Sequence, residues 1–296
     1  MTVLILKLVL APLLVVGSSL AGRRWGPSVT GMLVTLPIVA GPILFITYLE
    51  HGQRFVARAA SASLLGLVSL ALFAVVFARL ARTRAWPATL LTGWLACLAC
   101  DLVLSATGLP ALAGLGLALA ATGLAVRAGS RTPVPQPATQ PAPTAPSTQP
   151  AAQPPAQPPA QPSAAPRPPW WDLPARAAVT AVLVLALTSA AAHLGPALTG
   201  VLAPFPIGTS VVAVFALAQG GAPTANATLT GVLRGLPGFA VFCFLVAALA
   251  EPMGGGPAFA VATVGTLAVP LLLRWRLAAR AGTSAVAHLP APGEAG

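Results

Sequence analysis

Asp101 has the clearest capacity for chemistry, because it is a carboxylate within an apolar stretch long enough to cross a bilayer. A charge at that depth costs roughly 2.5 to 3.5 kcal/mol on insertion scales, so its side chain is expected to face protein or water. Lys7, near the start of the first apolar stretch, falls at a similar depth and is the predicted partner. The Lys7–Asp101 pair would act either as a structural ion pair or as a proton or coupling-ion site.

Arg234 is a second charge within an apolar stretch, in the segment GVLRGLPG. One interpretation is a side chain that snorkels to the membrane surface, and the other is a cation that binds an anionic group in a central cavity. The flanking Gly231 and Gly235 form a GxxxG pattern, which more often brings two helices close together than it carries chemistry.

Cys97 and Cys100 form a CxxC motif directly before Asp101. No second CxxC and no nearby His completes a metal set, so we interpret the two cysteines as small packing residues. The apolar stretches also contain no HxxxH, paired-Asp or Ser/His set. We therefore expect neither an enzyme nor a bound metal or cofactor.

The elements that position these residues are duplicated. The stretch GPSVTGMLVTLPI, residues 26–38, occurs again as GPALTGVLAPFPI, residues 195–207, at an offset of 169 residues. Each copy has a Pro within an apolar stretch, where the ring removes a helix hydrogen bond and breaks or kinks the span. Such paired interruptions favour a transporter binding site, although two kinked packing helices are an equal alternative. The candidate binding residues of the motif are Thr30, Gly31, Pro37, Thr199, Gly200 and Pro206.

Composition indicates a membrane protein. The chain is 56% hydrophobic and only 7% charged, with a mean hydropathy of +0.85, whereas a soluble globule has about 25% charged residues. Its net charge of +11 comes from arginines that cluster at the ends of apolar stretches. They are interpreted as topology determinants and contacts to anionic lipid, and nucleic-acid binding is not expected.

The hydropathy pattern predicts an all-α polytopic bundle of about nine spans in two repeats of five and four. The first repeat covers residues 1–128, a Pro/Ala/Gln-rich disordered linker covers 129–169, the second repeat covers 170–276, and a disordered tail covers 277–296. The predicted spans lie near residues 3–21, 27–49, 57–80, 87–107, 109–127, 175–193, 196–218, 226–249 and 256–274. Five spans before the second copy would make the two repeats inverted in the membrane.

Charge supports that inversion. Arginines collect on one predicted side, which the positive-inside rule makes cytoplasmic, so the N-terminus is expected outside and the C-terminus inside. The loop AGRRWG is basic where its copy AAHLG is not, and ARLARTRAW is basic where its copy AEPMGGG is acidic. Equivalent loops therefore have opposite charge bias, as inverted repeats require.

The duplicated GPxxTGxLxxxPI motif, with EHG at residues 50–52, resembles a family of uncharacterised bacterial multi-pass integral membrane proteins. In organisation the chain is similar to drug/metabolite-type transporters built from inverted repeats. We therefore expect an inner-membrane secondary transporter or permease for a small molecule, with its site between the second and seventh spans, and a homo-oligomer is compatible with this. The alternative is a membrane scaffold that recruits proteins through the Pro-rich linker.

Overall fold

A computed structural model describes residues 2–35, 40–130, 169–186, 205–266 and 268, and all regular secondary structure in these ranges is α-helical. This confirms the all-α class. The described helices are α1 (Thr2–Trp25), α2 (Pro27–Val34), α3 (Ala40–His51), α4 (Gln53–Leu80), α5 (Trp86–Ser105), α6 (Ala111–Ser130), α7 (172–186), α8 (Ile207–Met253) and α9 (255–266).

Four of the helices in the described ranges are long and apolar enough to cross a membrane, namely α4, α5, α6 and α8. The count of nine spans stays a prediction. The linker, apart from residues 129–130 and 169, and the tail both lie outside the described residues.

The longest helix, α8, is two helices joined at a break. Gly221 has φ 67° and ψ −170°, which divides α8 into α8a (207–220) and α8b (222–253). Gly52, 169 residues earlier, has φ 81° and ψ −177° and separates α3 from α4. This positive φ is accessible at little cost only to glycine. The sequence duplication is therefore matched by the same backbone break in both halves.

The predicted interruption of the second span falls on residues 36–39, Pro37 among them, which lie outside the described residues, so it stays a prediction. On either side of them, α2 ends at Val34 and α3 begins at Ala40. In the second copy Pro206 is the residue before α8a, with φ −76° and ψ 50°, and so it starts a helix rather than kinking one. Thr199 and Gly200 lie outside the described residues.

Helix α5 shows why these segments suit a bilayer. Its buried face carries small or polar residues, Thr89, Gly93, Cys97 and Asp101, spaced four apart. Its exposed face carries large apolar residues, namely Leu91, Leu95, Leu98 and Leu102. In a water-soluble protein the leucines would be buried and the polar residues exposed. In a membrane the leucines can face lipid, which is as apolar as they are, and small residues let helices approach closely. The face of α5 that meets the protein thereby also holds its one charge.

The core of the described structure lies between α4 and α8b, with α5 and α6 packed on α4. Large side chains from both central helices are almost completely buried there, including Leu64, Phe73, Phe77, Leu229, Leu236 and Phe242. Helix α1 packs on α2, α3 and α8. The two central helices occupy equivalent positions in the duplicated sequence.

Candidate functional site

The end of α2 lies against the start of α8a. A β-carbon built on Gly208, in the first turn of α8a, would lie 3.4 Å from Cγ1 of Val34, the last residue of α2. The C-terminal end of one half-span therefore contacts the N-terminal end of another. The last carbonyls and first N–H groups of helices lack helical partners and can bind a ligand. At the end of α2 the carbonyls of Gly31 and Met32 already accept hydrogen bonds from the Thr35 hydroxyl, so this capacity falls to the first turn of α8a.

Hydroxyl and indole groups lie around these helix ends. Ser210, buried in the first turn of α8a, accepts a hydrogen bond of 2.9 Å from Nε1 of Trp94 on α5. The Trp94 ring also lies 5.5 Å from that of Phe205. Thr35 is buried at the end of α2, and its hydroxyl donates to the carbonyl of Met32 at 2.9 Å. These groups suit an uncharged polar ligand better than an ion.

Gly31, a glycine of the first copy of the motif, has a packing role. A β-carbon on Gly31 would lie 1.8 Å from the carbonyl oxygen of Thr228, and one on Gly231 would lie 1.9 Å from that of Ser28. The backbones of α2 and α8b are thus in direct contact. Thr30 is buried in the same helix and meets Gly22 of α1. The GxxxG pattern of α8b therefore packs helices, which is the role that such a pattern has more often.

Asp101 is buried between α5 and α4, with 4% of its surface exposed. Its carboxylate accepts a hydrogen bond from the Ser69 hydroxyl and lies 3.8 Å from the Cys97 thiol, which donates to it. The side chain of Lys7 lies outside the described structure, so the Lys7–Asp101 pair stays a prediction. Within the described residues no group of three or more His, Cys, Asp or Glu could hold a metal ion.

Arg234 lies on α8b between the two packing glycines, and its side chain is exposed. The described structure gives it no ion pair or hydrogen bond, unlike Arg176. An exposed guanidinium is not packed into the interior of the chain. Its role in binding an anion in a central cavity stays a prediction.

A buried polar cluster joins α1, α7 and α8a, and sequence reasoning missed it. Asp172 accepts hydrogen bonds from Arg23 at 2.7 Å, from Arg176 at 2.9 Å and from Gln219. Arg176 also donates to Gln219 at 3.2 Å and to Ser19 at 3.4 Å. Arg176 is 8% exposed, and its guanidinium lies 4.7 Å from the Phe215 ring centre.

The cluster controls the charge of Asp172. Burial would raise the pKa of this carboxyl, but the hydrogen bonds from Arg23, Arg176 and Gln219 outweigh it and hold the pKa below its usual value. Asp172 therefore stays ionised. Two guanidinium groups share one carboxylate, which makes the cluster a structural junction with one excess positive charge. The available signal was the i, i+4 spacing of Asp172 and Arg176 in a chain with only five acidic residues.

A cleft of about 470 Å³ opens between the first turns of α4 and the last turns of α8b, roofed by the turn between α5 and α6. We call it the α4–α8 cleft. It is lined by Ala57, Arg58, Ser61, Ala62, Leu65, Ser105, Gly108, Leu109, Ala247 and Glu251.

Comparison of the chain with protein-family models, curated proteins and solved structures finds no significant match. The resemblance to a family of bacterial membrane proteins therefore stays a prediction, and function is argued from the geometry alone.

Proposed function

We propose that the chain is a secondary transporter or permease of the bacterial inner membrane, with a small-molecule site where α2 ends and α8a begins. The observation that carries this proposal is the contact between Val34 and Gly208, which brings two interrupted spans together. Half-helix ends within a membrane are tolerated where they face a cavity or protein, and transporters use them to hold substrate. Beside them, the Ser210 hydroxyl, which accepts from Trp94, can still donate to a polar substrate, and the Thr35 hydroxyl, which donates to Met32, can still accept.

The proposal includes inverted repeats, and two pairs of equivalent helices support them. Helices α1 and α7 are equivalent, and the end of α1 at Arg23 bonds to the start of α7 at Asp172. Helices α4 and α8b are also equivalent, and Arg58 near the start of α4 lines one cleft with Glu251 near the end of α8b. In each pair the contact joins one end of a helix to the opposite end of its equivalent, as expected of antiparallel helices. Equivalent helices of parallel repeats would run in the same direction through the membrane.

Asp101 is the proposed proton or coupling-ion site. Support comes from its described partners, Ser69 and Cys97, which are neutral donors rather than a cation that would fix its charge. Ser105, in the wall of the α4–α8 cleft, is four residues after Asp101, and Leu65 is four residues before Ser69. The carboxylate therefore lies about one helical turn, ~6 Å, beneath the cleft. That distance is short enough for a proton to enter through water.

A cysteine-accessibility experiment tests the site. In a variant with Cys97, Cys100 and Cys243 replaced by Ala, single cysteines are placed at Val34 or Gly208 and exposed to a membrane-impermeant maleimide from each side in turn. A transport site requires water to reach these positions, so both cysteines are expected to react from at least one side. A cysteine at Leu95, on the lipid-facing side of α5, is the unreactive control.

A cysteine at the exposed Arg82, in the turn after α4, is the reactive control. If Arg82→Cys reacts while Val34→Cys and Gly208→Cys are inert from both sides, the helix ends lie in a sealed core. That outcome would reject the proposed site and favour the scaffold alternative.

A further inference from the structure

The α4–α8 cleft holds two opposite charges that do not neutralise each other. Arg58 and Glu251 both line it and both are exposed, and within the described structure neither makes an ion pair or a side-chain hydrogen bond. The ion pairs of the described residues join Asp172 to Arg23 and to Arg176, and none joins Arg58 to Glu251. The cleft therefore presents a free cation and a free anion on opposite helices.

The rest of the lining is small and mostly apolar. Ser61 and Ser105 add hydroxyl groups, while Leu65 and Ala247 supply apolar surface. A volume of about 470 Å³ lies within the ordinary range for small-molecule sites. Guanidinium groups prefer carboxylate or phosphate, and a carboxylate accepts hydrogen bonds from an ammonium group. A ligand that pairs with Arg58 and Glu251 at once is a zwitterion.

We propose that the α4–α8 cleft binds a zwitterionic group, with its anionic part on Arg58 and its ammonium part on Glu251. Free amino acids and the headgroup of phosphatidylethanolamine both have this chemistry. The inference goes beyond the proposed transport site, because the cleft is a separate place in the fold and its binding can be measured without transport. The proposed site takes its cation, Arg58, from the first half of the duplicated chain and its anion, Glu251, from the second.

The test measures the melting temperature of the purified full-length protein in detergent. The probes are leucine, its methyl ester, which has only the ammonium charge, and 4-methylpentanoate, which has only the carboxylate. Phosphatidylethanolamine and phosphatidylglycerol are added separately in mixed micelles. Leucine or phosphatidylethanolamine is expected to raise the melting temperature more than its singly charged counterpart, and which of the two does so identifies the source.

Arg58→Gln and Glu251→Gln are each expected to weaken the apparent affinity at least about tenfold, the loss of one charge-assisted hydrogen bond. Arg54→Gln is the matched control, because Arg54 is exposed one turn earlier on α4 and does not line the cleft. Unchanged melting of each free variant without ligand shows that it is folded. Absence of any zwitterion effect, or an equal effect in all three variants, would overturn the proposal.

Discussion

Arg23 donates a hydrogen bond of 2.7 Å to Asp172, 149 residues further along the chain. Asp172 is 1% exposed and Arg176, its second partner, is 9% exposed, whereas Arg23 is 35% exposed, so the Asp172–Arg176 part of this ion-pair network is shielded from water. Shielding makes such a network costly to break by removing one member, because the partner charge then stays buried and uncompensated.

Asp172→Asn is therefore expected to destabilise the protein by about 3 to 5 kcal/mol. Denaturant unfolding in detergent micelles measures the loss. The Asp172→Asn/Arg176→Met double variant should lose less than the sum of the two single variants, since it removes both buried charges. Arg82→Gln, at an exposed turn, is the control and should change little. Strictly additive effects would show that Asp172 and Arg176 are not coupled.

The pH dependence of the network follows from the lowered pKa of Asp172. A carboxyl whose pKa is lower in the folded state contributes stability above its unfolded pKa, about 3.9, and loses it as the pH falls through the folded value. The melting temperatures of the natural protein and Asp172→Asn should therefore differ most above about pH 4 and converge below it. A difference that stays constant down to pH 2 would contradict this assignment.

Gly31 and Gly231 are expected to tolerate no side chain. Each β-carbon would overlap a backbone carbonyl of the opposite helix, which cannot move aside as a flexible side chain can. Gly31→Ala and Gly231→Ala should each cost about 1 to 3 kcal/mol or more, as overpacking does. Gly116→Ala on α6 is the matched control, because nothing lies within 4 Å of its added carbon. If all three variants unfold alike, α2 and α8b do not pack closely.

The features that were predictable from sequence are local or repeated. The protein-facing position of Asp101 follows from the cost of exposing a charge to lipid. The helix breaks at Gly52 and Gly221 could not be predicted from the sequence, because many glycines of an apolar chain lie within helices and nothing in the sequence shows which of them adopts a positive φ. The Asp172 cluster escaped prediction because Arg23, Ser19 and Gln219 reach it only through tertiary packing.

The orientation of the two repeats gives the last prediction. Helices α4, α5 and α6 are each long and apolar enough to span the membrane. Together with α1 and the segment that contains α2 and α3, five crossings are predicted before the linker. Reporter fusions at Ser130 and Gly296 should then both report the cytoplasm, and a fusion at Gly108, in the turn between α5 and α6, should report the outside. The α5–α6 turn has no arginine, whereas the α4–α5 turn contains Arg82 and Arg84, in agreement with the positive-inside rule. Outside signals at both Gly108 and Ser130 would mean that α6 does not cross the membrane, which would leave an even number of crossings before the second copy. Equivalent helices would then have to run parallel, against the antiparallel contacts of Arg23 with Asp172, and the inverted-repeat proposal would fail.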